Sequence, residues 1–276
     1  MASKFLTINS LALLLGACLY PSMVLAADRL RIGLSSFTPI NAALWIAEEK
    51  GLFKKHGIES EVILIGGASA GGVSSLIAGD VQFLGGGGGG VINAALGGAD
   101  VIMIGSIVNK GVQRVVARGD LKRPEDLRGK KIGITRLGAA SHLVLLIMLR
   151  GWNMTSNDVQ NLQIGSSPAM MAALEKGGID AAVLTEPTFF FAEDQGFRTL
   201  ADMDIYYLHS MIDTTRAYLR AHRDLTLRFM RGDVEGIAYF KKNRKESIDV
   251  LARKLRTAPA QTKYLERSHT LYNSGY

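Results

Sequence analysis

Six consecutive glycines, Gly85 to Gly90, follow the apolar run Val81 to Leu84 and give way at once to a second apolar stretch, Val91 to Leu96. The first stretch has the length of a buried strand, the second the composition of a helix, and the joint between them has no side chain with which to fill a core. Bare backbone in that position leaves room for another group to come close. The competing reading is a slack linker, but linkers separate domains, and here the helical pattern resumes without a gap. The run satisfies the dinucleotide fingerprint G-x-G-x-x-G trivially. Asp100 comes only ten residues after Gly90, about half the interval at which a ribose-binding carboxylate is expected.

The chain has 276 residues, 47% hydrophobic and 21% charged, enough to bury a large core as one big domain or two lobes. Its first residues are expected to stand apart from that core. Lys4, an apolar run from Ile8 to Tyr20, Pro21 and the small-residue exit Val24-Leu25-Ala26 read as an export signal over residues 1–26. Leu15-Gly16-Ala17-Cys18 also fits a lipobox, so two processing routes stay open: cleavage after Ala26, or lipidation at Cys18. Either one exports the protein. Cys18 is the only cysteine, so a chain cleaved after Ala26 has no disulfide and no thiolate. The histidines at 56, 142, 209, 222 and 269 are scattered without the spacing of a zinc site, and neither a metal nor a cofactor is expected.

From Arg29 onward strands alternate with helices: Leu30 to Leu34, a helix over Ile40 to Lys50 closed by Gly51, Glu61 to Ile65, Val73 to Ala78, Val81 to Leu84, Val91 to Leu96 and Val101 to Ile107. Such alternation predicts right-handed crossovers and a mainly parallel sheet, with ligands beyond the carboxyl ends of the strands. Those ends carry Ser35-Ser36, Gly66-Gly67-Ala68-Ser69 and the glycine run. A second α/β unit follows, with strands at Ile132 to Ile134, Leu162 to Ile164 and Ala181 to Leu184 and helices at His142 to Leu149 and Met170 to Glu175. After His209 the pattern is helical, and the helix opened by Pro259 meets Tyr276 without a closing signal, as in a truncated sequence.

The segments Glu48-Glu49-Lys50-Gly51-Leu52-Phe53-Lys54-Lys55-His56-Gly57-Ile58, Leu76-Ile77-Ala78-Gly79-Asp80-Val81 and Pro124-Glu125-Asp126-Leu127-Arg128-Gly129-Lys130-Lys131-Ile132-Gly133, in that order behind a leader, resemble the periplasmic solute-binding proteins of nitrate, sulfonate, taurine and thiamine-precursor uptake. The resemblance covers most of the chain after the leader. It implies a two-lobed α/β fold of the type II periplasmic binding protein class, with a ligand cleft at the hinge, a small-molecule ligand and an ABC permease in the inner membrane as partner. On that plan residues 28–118 and 210–276 form lobe I, residues 119–209 form lobe II, and the protein is a periplasmic monomer. Six glycines in a row exceed the family pattern.

Candidate ligand contacts are Ser35, Ser36, Gly67, Ala68, Ser69, Gly86 and Gly87 from the first unit, and Thr135, Gly138, Ser141 and Glu186 from the second. Thr135 and the segment Gly138 to Ser141 lie between a strand and a helix N-terminus, where free amides and the helix dipole favour an anionic or strongly polar group. Ser141 is equally an N-cap. Arg136 is either an anion partner or a solvated side chain. Glu186, ahead of Pro187, either accepts from a ligand amine or caps a turn. The alternative function is an exported serine hydrolase, because Gly67-Ala68-Ser69-Ala70-Gly71 fits the nucleophile elbow G-x-S-x-G. Against it, the strand that would furnish an oxyanion hole is missing upstream, and the pairing of Asp180 with His209 or His222 has only chain order in its favour.

The formal charge of +7 is unevenly spread: residues 155–215 hold nine acids against two bases. Without interleaved aromatics the basic segments read as solvated faces or a docking patch, and nucleic acid is not an expected partner.

Overall fold

A computed structural model describes residues 27–65, 68–86, 88–202 and 206–273; side chains at 68–70 and 206–207 are outside that description. The expected leader, Cys18, Gly67 and Gly87 lie outside the described residues. The chain runs β1 (Asp28–Leu34), α1 (Ala42–Glu49), α2 (Leu52–Lys55), β2 (Ile58–Leu64), α3 (Ala68–Ala78), β3 (Phe83–Gly86), α4 (Gly88–Leu96) and β4 (Ile102–Lys110). It continues with β5 (Arg114–Ala117), β6 (Lys131–Ile134), α5 (Ala140–Gly151), β7 (Gln160–Gln163), α6 (Ser167–Glu175), β8 (Ala181–Leu184), α7 (Thr188–Asp194) and β9 (Arg198–Asp202). Last come β10 (Tyr206–Thr214), α8 (Arg216–Ala221), α9 (Arg223–Lys242), α10 (Arg244–Leu255) and α11 (Thr262–Asn273).

Two five-stranded sheets result, ordered β2-β1-β3-β10-β4 and β7-β6-β8-β5-β9. In the first, β1 pairs parallel with β2 and β3, while β10 runs antiparallel between β3 and β4. In the second, β6 pairs parallel with β7 and β8, while β5 runs antiparallel to β8 and β9. The sequence reading therefore needs correction in two places. Residues 114–117, assigned to lobe I by the boundary at 118, form β5 of the second sheet, so the first passage between sheets falls at residues 111–113. Residues up to Thr214 are strand where helix was expected to begin after His209, and the second passage lies between β9 and β10.

Lobe I is built around α1, whose residues Ala42 to Ala47 are all buried. A helix with no exposed face needs cover on both sides, here the first sheet beneath and α9 with α10 above. The cover is close because α9 presents Gly232 and Gly236: a Cβ at Gly236 would lie 2.4 Å from the Ala43 carbonyl oxygen, and one at Gly232 2.5 Å from the Phe53 ring. Phe229, on the same helix face, stacks between Phe53 and Phe83 with centroids 5.3 and 3.9 Å away. Gly51, at φ 68°, supplies the left-handed residue that ends α1 and turns the chain into α2.

The glycine run is no linker. Gly85 and Gly86 are strand and Gly88 to Gly90 helix, and the groups that come close to them are the protein's own. A Cβ at Gly85 would stand 2.7 Å from Leu44 Cδ1, one at Gly86 2.1 Å from Ser35 Oγ, and one at Gly89 2.9 Å from Leu143 Cδ1 and 3.3 Å from the Gly138 oxygen. The last contact belongs to the second lobe, where Asn93 Nδ2 also donates to the Gly138 oxygen over 3.4 Å. On another side α11 joins the lobes: Leu265 and Tyr272 enter the core of lobe I, and Tyr264 enters that of lobe II beside Phe189 and Phe190. Arg267 Nη2 of α11 donates to Glu193 Oε2 (2.9 Å) and Arg114 Nη1 to Glu193 Oε1 (2.7 Å), so one carboxylate of α7 ties β5 to the C-terminal helix.

Two consequences are measurable. Gly236→Val forces a branched side chain against the α1 backbone and is expected to cost about 2–3 kcal/mol in urea unfolding; an unchanged midpoint would show that α9 can slide away from α1. Asp213 of β10 is fully buried with no partner for either carboxylate oxygen, and burial pushes its carboxyl up to about 8. The native state thus holds a proton that the unfolded chain releases near pH 4, so this group's contribution is full in acid and is lost as pH rises towards 8. Asp213→Asn should flatten that decline, gaining on the order of a few kcal/mol over the parent at pH 9; equal slopes between pH 5 and 9 would contradict the assignment.

Candidate ligand-binding cleft

The carboxyl ends of all six parallel strands face one cavity of about 850 Å³ between the sheets. Ser35 follows β1, Leu64 and Ile65 close β2, Gly86 ends β3, Thr135 follows β6, Gly165 to Ser167 follow β7, and Thr185 follows β8, and all of them line it. This is where an open parallel sheet leaves amides and helix N-termini unspent, and here two such sheets face each other. Phe37, Ile40, Met171, Phe191, Leu255 and Leu265 give the walls an apolar character.

The expected site residues divide into groups. Ser35, Ser36, Gly86, Thr135, Ser141 and Glu186 line the cavity. Ala68 is the first residue of α3 and Ser69 its second; Gly67 and Gly87 lie outside the described residues. Gly138 is not part of the lining: it occupies a turn at φ 78°, touches Asn93, and donates its N–H to His142 Nδ1 over 3.0 Å.

Ser141 is not the helix cap. The helix starts one residue earlier, at Ala140, behind Ala139, and the Ser141 hydroxyl turns back to accept the Thr135 N–H (2.9 Å) and meet the Thr135 hydroxyl (2.7 Å). The same device recurs at the neighbouring strand, where Ser167 Oγ accepts the Thr185 N–H (3.1 Å) and meets Thr185 Oγ1 (3.0 Å). Each pair fixes a strand end to the start of a helix and turns a hydroxyl towards the cavity. The Ser166-Ser167-Pro168 sequence carried a signal for the second pair, since a capping serine with Pro in the first helical turn marks a helix start.

Among the lining residues not chosen from sequence as ligand contacts are Gln113, His209 and Ser210. Gln113 lies on the first passage between the sheets and His209 and Ser210 on the entering half of β10, and each is at least nine-tenths buried. Burial drives the His209 imidazole down to about 4, so it is neutral at pH 7. Glu186 is 1% exposed. Burial pushes its carboxyl up to about 8; the Tyr272 hydroxyl and its own amide oppose the shift, yet neither carboxylate oxygen has a donor in good hydrogen-bond geometry. Arg136, the anion partner considered from sequence, is exposed and off the cavity.

The hydrolase constellation does not assemble. Asp180 accepts from the Lys131 amide at the start of β6, while His209 lines the cavity with Thr135 at the other end of that strand. Four residues of strand, roughly 13 Å, intervene, and Asp180 cannot orient that imidazole. Among the described residues no cluster of His, Asp or Glu could hold a metal, and no helix is long and apolar enough to cross a membrane.

Two α/β lobes, joined by passages that carry polar residues into a cleft at the strand ends, define the periplasmic binding protein class. Solved structures agree: the periplasmic aliphatic sulphonate binding protein SsuA from Escherichia coli superposes with a TM-score of 0.75 over 88% of this chain and 83% of that one at 23% identity. The alkanesulfonate-binding protein SsuA from Xanthomonas axonopodis pv. citri bound to MOPS gives 0.76 over 88% and 84% at 22% identity. The sequence model of the family described as NMT1/THI5 like matches residues 38–247, and the chain belongs to that family. A protein of Brucella abortus (strain 2308), named only as a candidate binding protein, is 32% identical over 179 residues, 64% of this chain and 54% of its own. The chain spans about half the length of the curated relatives it matches first.

Ser141→Ala removes the acceptor of the Thr135 amide and leaves a buried N–H unmatched, at an expected cost of about 1–2 kcal/mol in thermal or urea unfolding. A helix cap at Ser141 would instead be rescued by Asp; the observed geometry predicts that Ser141→Asp rescues nothing.

Proposed function

We propose that the protein is the extracytoplasmic substrate-binding component of an ABC importer, taking a small solute into the cleft and passing it to a membrane permease. The observation that carries this reading is the convergence of six strand ends and both interlobe passages on one cavity. A cleft closed from two sides can couple solute binding to the relative position of the lobes, which is the signal a permease needs to tell loaded from empty protein. Membership of the NMT1/THI5-like family supports it, as do the names of the structural neighbours. A periplasmic location, with the leader removed near Ala26, fits the same reading, as do a monomeric state and a lobe division at the 111–113 and β9–β10 passages. Ser35, Ser36, Gly86, Thr135, Ser141 and Glu186 are the proposed ligand contacts, to which the cavity adds Gln113 and Ser210.

Binding without turnover is the expected behaviour. A ligand at 100 times its dissociation constant should stabilise the protein by about 2.7 kcal/mol, read as a saturable rise in melting temperature. A p-nitrophenyl ester should be released at the background rate by the parent and by Ser69→Ala alike. A stoichiometric burst lost in Ser69→Ala would overturn the reading in favour of a hydrolase.

A further inference from the structure

Helix α11 is attached to the two lobes by two unlike surfaces. Towards lobe I it is packed. Leu265 and Tyr272 are fully buried in that core, and the His269 ring stacks on Phe240 with centroids 4.3 Å apart while its Nε2 donates to the Phe240 oxygen over 2.9 Å. Arg244 Nη1 of α10 donates to Thr270 Oγ1 over 3.0 Å. Towards lobe II the attachment is mainly ionic. Lys263 Nζ (2.6 Å) and the Tyr264 hydroxyl (2.9 Å) donate to Asp194 Oδ2 of α7. Arg267 reaches Glu193 Oε2 (2.9 Å) and Asp194 Oδ1 (3.4 Å) of the same helix. The hydrogen bonds from Lys263 and Tyr264 hold the Asp194 carboxyl below its ordinary value. The Tyr264 ring, beside Phe189 and Phe190, is the apolar part of this seam.

The two surfaces differ in what it takes to part them. Withdrawing Leu265 and Tyr272 would leave a cavity in the core of lobe I. In the seam, by contrast, the side chains of Lys263 and Arg267 are 59% and 40% exposed, and those of Asp194 and Glu193 34% and 24%. Ion pairs this accessible are individually weak and screened by salt, and they count chiefly as a network. When the lobes separate, α11 therefore stays with lobe I and the seam with α7 is what yields. Its position gives it leverage over the hinge. Arg114 begins β5 just after the first passage and Asp202 ends β9 just before the second. Arg114 bonds Asp202 Oδ1 (2.5 Å) and also the Glu193 carboxylate that Arg267 shares. Tyr264 of α11 and Phe191 of α7, edge to face at 6.1 Å, both line the cavity, so a solute against these rings would bridge the same two helices.

We infer that the seam of Lys263, Tyr264 and Arg267 with Glu193 and Asp194 is a salt-sensitive latch that holds the lobes together before a solute arrives. This rests on the solute-binding reading and adds to it the resting position of the lobes and what controls it. Low ionic strength keeps the cleft closed, and screening of the seam releases α7 from α11.

Small-angle scattering of the protein without added solute tests the latch. The parent is expected to have a larger radius of gyration at about 1 M NaCl, where the Debye length falls to about 3 Å, than at about 0.05 M. The double variant Lys263→Met, Arg267→Met keeps both apolar stems and leaves the Arg114 pairs inside lobe II untouched. It should show the larger radius already at low salt, with no further response to salt. Tyr264→Phe, which keeps the ring and loses the bond to Asp194, should fall between it and the parent. Lys245→Met removes an ion pair with Asp249 that lies within α10, and it should scatter as the parent does at both salt concentrations. Circular dichroism like the parent's and melting within a few degrees of it would mark the double variant as open and not unfolded. The salt series on the parent stands apart from any substitution. A parent radius that ignores salt would overturn the latch, as would a double variant that folds and scatters like the parent at low salt, or a Lys245→Met protein that opens as far as the double variant. None of these outcomes touches solute binding, which the melting-temperature measurement above decides separately.

Discussion

The architecture depends on one pairing: β10, returning from the second lobe, inserts antiparallel between β3 and β4. The first sheet is completed by a strand that returns from beyond the second lobe, so the two lobes are bound by topology as well as by contact. The insertion also fixes the cleft. It carries His209 and Ser210 on its entering half into the cavity and Asp213 further along beneath the helices of lobe I. The bulges where β10 meets β4 let one strand serve both purposes, since a regular strand would keep a constant alternation of faces.

Close packing of main chain is the second theme. Gly236 against Ala43, Gly85 against Leu44 and Gly89 against Leu143 are places where a missing Cβ lets two elements approach. Gly85, Gly86, Gly88 and Gly89 of the glycine run thus have a packing explanation, and of these four only Gly86 also lines the cavity. Across the cleft, Arg114, Glu193 and Arg267 supply a polar counterpart, with Arg267 laid over the Phe190 ring at 4.0 Å and Arg114 over Phe189 at 4.3 Å. Guanidinium groups stacked on rings and bonded to a shared carboxylate are well placed to hold α11 against α7.

Much of this was legible in the sequence, for physical reasons. The strands β1, β2, β3, β4, β6 and β8 are runs rich in apolar residues and ended by small or polar ones, and their pattern is local, whereas β7, Gln160-Asn161-Leu162-Gln163, was found only through Leu162. The cleft followed from the strand ends, which is why Ser35, Ser36, Gly86, Thr135, Ser141 and Glu186 could be chosen. What escaped was whatever depends on partners distant in sequence. The strand β10 buries His209, Ser210 and Asp213, a polar content that masks a central strand, and β5 is four residues whose pairing is with β8 and β9. Gln113 sits in a passage with no periodicity at all. Ser141 looked like a cap because capping rules see only neighbours, whereas its hydroxyl is used by an amide six residues back. The strap formed by α11 across both cores was invisible, since its amphipathic stripe says that it is buried but not between which surfaces.

The contact of Gly89 and Asn93 with Gly138 and Leu143 adjoins the cavity at Ala139. There the two lobes meet through glycine backbone, so any substitution that added a side chain would wedge them apart before it touched a solute. A change of ligand preference in this protein therefore has to come from lining residues away from that wall.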